Sequence, residues 1–162
     1  MILSLPGVKS YLSDRHKLGS APTIYAHKLS IEADKILELG SQRLPTGRTI
    51  AVKGSDFDFR KRKSLTEIHN RKHPQIESFN GLDHYYVLNH HNDNNGNQPA
   101  VAELCSRVYR MQVFTNQPGL QVYNGNALSP AYQGICIEAQ LFPDSPNRPH
   151  FLACFLNLGT QG

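Results

Sequence analysis

The chain of 162 residues has no apolar run near the roughly 20 residues that a membrane helix needs. Its opening Met1-Ile-Leu-Ser-Leu-Pro6 is too short for the apolar core of a secretory signal. Membrane and secreted classes are therefore not expected. Paired cysteines are also missing: Cys105, Cys136 and Cys154 form an odd set without C-x-x-C spacing. That argues against a disulfide framework and a zinc ribbon, and makes a reducing, cytoplasmic setting the default. The histidines show no metal spacing, and His90-His91 falls in a polar run of turn formers ending at Pro99. No internal repeat, RNP-like block, Cys/His finger or regular basic and aromatic interleaving is present, so a nucleic-acid partner is not expected.

The excess of positive charge is local. Arg60, Lys61, Arg62, Lys63, Arg71 and Lys72 supply six of the 17 cations beside only Glu67, and the rest of the chain is close to neutral. A solvated loop explains this better than a general attraction to polyanions.

What the chain does contain is enough apolar material to fold, with 39% hydrophobic and 19% charged residues. At this length one domain buries about 68–70% of its unfolded surface. The dominant pattern has period two. His27 to Ala33 sets Leu29 and Ile31 against Lys28, Ser30 and Glu32. His84 to Leu88, Ser106 to Thr115, Leu120 to Tyr123 and Gly134 to Phe142 are the other candidate strands. Asn80-Gly81 and Asn124-Gly125 supply the positive φ angles of tight turns. Helical periodicity is scarce; only Ile31 to Leu39 allows it, and Gly40 with Leu44-Pro-Thr-Gly47 stops it. The expected fold is antiparallel, all-β and sandwich-like.

Three places carry chemistry. In Gly134-Ile-Cys-Ile-Glu-Ala-Gln-Leu-Phe142, alternation opposes Glu138 to Ile135, Ile137, Ala139 and Leu141, so the carboxylate is aimed at a surface. Partly desolvated it would suit a general base; fully exposed it is an ordinary sheet-face acid. Gly81-Leu-Asp-His84 pairs Asp83 with His84, and Thr115-Asn-Gln-Pro-Gly119 sets two amides at a strand end. Carboxylates and amides suit sugar hydroxyls, which both donate and accept. The competing readings are structural: an Asx turn for Asp83, a satisfied core imidazole for His84, a turn cap for Asn116-Gln117.

Taken in order, several blocks resemble the aldose 1-epimerase (galactose mutarotase) family. They are His27-Lys-Leu-Ser-Ile-Glu-Ala-Asp34, Leu44-Pro-Thr-Gly47, Val52 to Arg60, Gly81-Leu-Asp-His84, Thr115-Asn-Gln-Pro-Gly119, Val122-Tyr-Asn-Gly-Asn126, and Gly134 to Gln140 followed by Pro143-Asp-Ser-Pro-Asn147. The resemblance implies a large antiparallel β-sandwich of the mutarotase-like supersandwich type, with residues 1–162 as one partial domain. It implies a free hexose such as galactose or glucose as substrate, and no metal or cofactor. Glu138 matches the family's catalytic base, Asp83 its sugar-binding aspartate and Gln117 a groove amide.

The family's acid is a histidine, and Lys9 in Val8-Lys-Ser-Tyr-Leu-Ser-Asp14 stands at the corresponding place, with His16 nearby. A lysine with a pKa of about 10.4, against about 6.5 for histidine, is poorly matched to proton shuttling at pH 7. The resemblance covers the family's C-terminal half and departs again over Phe151 to Gly162. The expectation is thus a truncated homologue, with exposed strand edges open to self-association or a partner chain. A non-catalytic sugar-binding remnant is the alternative. So is a relative acting on hexose 6-phosphates, with Arg60 to Lys63 meeting the phosphate.

Overall fold

Wherever one parity of the sequence is apolar, the chain extends into strands that bury that parity. The computed structural model describes residues 23–69, 72–89, 99–148 and 151. Within them the strands are β1 (Lys28–Ile31), β2 (Ala33–Leu39), β3 (Pro45–Ala51), β4 (Lys63–Ser64), β5 (Asp83–Leu88), β6 (Ala102–Cys105), β7 (Arg110–Val113), β8 (Gly119–Tyr123) and β9 (Cys136–Gln140). Two short helices, α1 (Thr66–His69) and α2 (Pro74–Phe79), lie between β4 and β5. No helix among the described residues is long and apolar enough to cross a membrane. The strands form two antiparallel sheets in the orders β4-β1-β6-β7 and β3-β2-β5-β8-β9.

One core fills the space between the sheets. Leu29, Ile31 and Ala102 face Ile36, Tyr86, Leu88, Leu120 and Val122 across it, and Phe57, Phe59, Leu65 and Ile76 come from the β3–β5 connection. A smaller cluster of Leu37, Tyr85, Phe142 and Phe151 forms on the opposite, outer face of the five-stranded sheet.

Three expectations from the sequence are corrected. The strand expected over His27 to Ala33 ends at Ile31, because Glu32 gives its backbone to Val101 and Asn89 rather than to either ladder. The chain then enters β2 at Ala33, so Ile31 to Leu39 is not helical. Gly40 begins a turn that runs to Leu44, with Arg43 at φ 61°, and β3 starts at Pro45 inside the Leu44 to Gly47 block. The strand expected over Ser106 to Thr115 is broken by a turn in which the Ser106 hydroxyl accepts from the amides of Val108 and Tyr109 at 3.2 and 2.9 Å. β6 and β7 are therefore the arms of a hairpin.

After β9 the chain runs back over the outer face toward the far edge of the same sheet. Arg148 ends that crossing. Its Nη1 and Nη2 donate to the carbonyls of Thr46 and Pro45 at 3.2 and 2.8 Å, and its Nε donates to Asp144 at 2.9 Å. Gly47, at φ +90°, leaves room for it: a Cβ there would lie 2.3 Å from Nη1. The Leu44-Pro-Thr-Gly47 and Pro143 to Pro149 blocks, a hundred residues apart, are two halves of one contact. Replacing Arg148 by Met should cost about 2 kcal/mol in urea unfolding, since charged donors on carbonyls contribute roughly 1.5–3 kcal/mol each and this side chain is partly exposed. An unchanged midpoint would show that the crossing is held by Phe142 and Phe151 alone.

Candidate functional site

The outer face of the five-stranded sheet is divided by that crossing. At one end Tyr85 lies under Phe142 with ring centres 5.2 Å apart, and Phe142 stacks on Phe151 at 4.6 Å. At the other end the face is polar and open. Register pairs Asp83 on β5 with Tyr123 on β8 and Tyr123 with Cys136 on β9; one step along it pairs Tyr85 with Gln121 and Gln121 with Glu138. Alternation therefore aims Asp83, Tyr85, Gln121, Cys136 and Glu138 at this single face.

Two turns place Asp83. Asn80 ends α2 in the left-handed region at φ 53°, and Gly81 follows at φ 147°. Asn124, almost wholly buried, exchanges bonds with Leu82: its Oδ1 accepts from Leu82 N at 3.1 Å and its own N–H donates to Leu82 O at 3.0 Å. A side chain at Gly81 would meet that Oδ1 at 2.6 Å. The two Asn-Gly blocks, distant in sequence, thus meet at the entry to β5. Asp83 is half-buried, and its Oδ1 accepts from Gln121 Nε2 at 2.7 Å.

Glu138 sits at the middle of β9, exposed, with Ile137 and Ile135 packed toward the core on the opposite parity. The expected alternation holds, and of the two environments considered for the carboxylate the exposed one is found. Cys136 lies on the same face, and its thiol is pushed up first by desolvation and then by the charges of Glu138 and Asp83. Cys136 and Cys105 are free thiols, and among the described residues no cluster suited to a metal ion occurs.

Gln117 lies apart. It precedes β8, two residues before Gly119, and so shares the outer-face parity of Gln121 but stands four residues further along, roughly 13 Å at the rise of a strand. Its amide N–H donates to Thr115 Oγ1 at 3.0 Å, the local turn that the structural alternative expected. Lys9, His16, His90, His91 and Cys154 lie outside the described residues.

His84 faces the other way. It is fully buried against the rings of Phe57 and Phe79. Nδ1 accepts from Asp83 N at 3.2 Å, which leaves Nε2 as the donor to Gln75 Oε1 at 3.2 Å. Burial, and then His73, lower its pKa to about 3. It is a neutral structural imidazole under α2 and takes no part on the groove face.

The basic run is largely committed elsewhere. Arg60 spans Asp58 and Asp34 at 2.9 and 3.1 Å, holding the Asp58 carboxyl well below the usual carboxylate range. Arg62 and Arg110 both pair with Glu103, on the outer face of the other sheet beside a recess of about 220 Å³ that includes Ser30, Glu32 and Gln112. The phosphate reading of Arg60 to Lys63 therefore loses its two guanidiniums.

The family model described as aldose 1-epimerase matches residues 6–161. The chain is 34% identical over 158 residues to galactose mutarotase from Bos taurus, covering 87% of this chain and 42% of that protein. Galactose 1-epimerase from Lactobacillus acidophilus NCFM superposes with a TM-score of 0.64 at 35% identity, over 74% of this chain and 36% of that one. An aldose epimerase homologue from C. elegans gives 0.67 at 25% identity, over 82% and 41%. The chain thus spans less than half the length of these relatives.

Proposed function

The chain belongs to the aldose 1-epimerase family, and from that premise we propose that it carries the base half of a mutarotase site for a free hexose such as galactose or glucose. The observation that supports this reading is the common face: Glu138 and Asp83, from strands separated by β8, both border Gln121, with Cys136 on the same face. In the proposed reaction Glu138 takes the proton of the anomeric hydroxyl while an acid protonates the ring oxygen. The ring opens, the C1–C2 bond rotates, and reclosure yields the other anomer. Asp83 holds sugar hydroxyls as an acceptor, and Gln117 is assigned a contact further along the groove. The acid falls to Lys9 on the family pattern.

A second reading, sugar binding without turnover, is favoured by the exposure of Glu138 and by the inward orientation of His84, the imidazole nearest in sequence to Asp83. The optical-rotation decay of freshly dissolved α-D-galactose separates the two. Acceleration by the folded chain that disappears in Glu138→Gln is the expected result. A folded chain that binds galactose saturably but leaves the decay at its spontaneous rate would establish the second reading instead.

A further inference from the structure

Each sheet has two outer strands, and their open backbones are not equally guarded. β3 begins at Pro45, and the carbonyls of Pro45 and Thr46 are taken by Arg148. β4 is two residues long and follows Arg60, Lys61 and Arg62. β9 carries the charge of Glu138 at its centre. Proline, short length, charge and covering contacts are the devices that keep edge strands from pairing with other chains. β7 lacks proline and cover: among the described residues only β6 lies beside it, and its one charged side chain, Arg110, is folded onto Glu103. Apolar surface also collects there. Val108, Tyr109, Met111 and Phe114 are four of the seven large apolar side chains exposed among the described residues, Val108 and Phe114 at 67 and 59%. Scattered singly such residues need no explanation, but a contiguous set marks an interaction surface.

The carbonyls of Tyr109 and Val113 accept from Ser106 N and Val101 N, both at 2.8 Å, so the odd positions spend their backbone groups on β6. Arg110, Gln112 and Phe114 therefore turn theirs outward. Met111, opposite Leu104 and beside Val113, continues the apolar inner face past the last strand. We infer that β7 is a dimerisation edge and that its occupant is β7 of a second copy of this chain, antiparallel about a two-fold axis at Gln112. In that register Gln112 pairs with itself, Arg110 lies opposite Phe114 of the second copy, and Met111 lies opposite its Val113. Charge selects this pairing. An axis at Arg110 would set like charges face to face, and one at Met111 would oppose Phe114 to Val108, which lies in the turn. The Gln112 axis sets the guanidinium against an aromatic ring, a favourable cation–π pair. The contact is self-complementary and closes on itself, and it leaves the polar face of the five-stranded sheet open.

Sedimentation velocity of the full chain, from micromolar to submillimolar concentration, should show a reversible monomer–dimer equilibrium. Gln112→Pro removes the amide at the axis. Because that amide points away from β6, the hairpin and the circular dichroism should survive while the dimer is lost. Two further variants change only the exposed Phe114 side chain. Phe114→Lys sets a lysine opposite Arg110 and should raise the dissociation constant roughly ten-fold or more. Phe114→Glu supplies a carboxylate at the same place and should keep the dimer, with an affinity that falls as salt rises. A folded wild-type chain that stays monomeric throughout overturns the inference and leaves the edge to a different protein. So does a dimer that persists in folded Gln112→Pro. Equal weakening by Phe114→Lys and Phe114→Glu would overturn the register, and with it the charge argument that names a second copy.

Discussion

Gly119→Ala should destabilise the chain by roughly 3–5 kcal/mol, the range seen when a buried aromatic is removed from a core. The reason is a crossing at one point. The Tyr85 ring, only 1% exposed, passes over β8 at Gly119 to reach the carbonyl of Gln140 on β9. An added Cβ would lie 2.2 to 2.5 Å from three atoms of that ring, closer than any packing tolerates. Tyr85 must then leave, which opens its contact with Phe142 and strands its hydroxyl. The cost belongs to the pair, so it is non-additive: in a Tyr85→Ala background, Gly119→Ala should cost less than about 1 kcal/mol. Denaturant unfolding of the four proteins of this cycle checks it. Equal costs in both backgrounds would mean that Gly119 matters for its own backbone and not for the ring.

Acid should weaken the fold well before carboxylates protonate. His84 is held neutral in the folded chain with a pKa of about 3, against 6.5 for the free side chain. Between those values the unfolded chain binds a proton that the folded chain refuses, so stability is complete above about pH 6.5 and is lost as pH falls. One proton corresponds to about 1.4 kcal/mol per pH unit, or roughly 2.7 kcal/mol by pH 4.5. Below about pH 4 the Asp58 carboxyl adds to the loss in the same direction, its folded value being depressed by Arg60. Unfolding free energies measured from pH 7 to 4.5 should show this slope. His84→Gln, neutral at every pH, should flatten it whatever its own cost to stability. A slope that survives the substitution would place the responsible proton elsewhere.

Much of this architecture was legible in the alternation of side chains, and the rest was hidden for identifiable physical reasons. β5 follows the Asn80-Gly81 turn, β8 runs into Asn124-Gly125 and β9 alternates about Glu138, and these strands hold the candidate site. That Glu138 faces a surface could be read from parity alone, whereas Asp83 could be placed only at the head of an aromatic strand. That they share one surface could not, because this depends on the register through β8, a long-range pairing with no local signature. Gln121 carries no local signal for the same reason: it is one polar residue in Gly-Leu-Gln-Val-Tyr, and its parity with Gly119 and Tyr123 acquires meaning only beside Asp83. The β6–β7 turn was hidden because Val108 and Tyr109 favour strands, yet both sit exposed in the turn that Ser106 organises. α2 escaped notice because it is six residues long and its N-terminus is capped by a histidine ring, His73 Nδ1 accepting from Gln75 N. The Arg148 contact joins two blocks that each read as an isolated turn.

The position of the strands in the sheet has a further consequence for how the site persists in time. β5 is third of five, bonded on both sides, whereas β9 is bonded through β8 alone among the described residues. A border strand opens at lower free energy than a central one, so the two carboxylates belong to different levels of local opening. Asp83 is held at the head of β5 by its pairing with Tyr123 and by the exchange between Leu82 and Asn124 beside it. Glu138 goes whenever the last strand frays, and the Tyr85 hydroxyl on Gln140 is the mooring that ties that strand to the centre. The end of the polar face that carries Asp83 is thus moored more firmly than the end that carries Glu138.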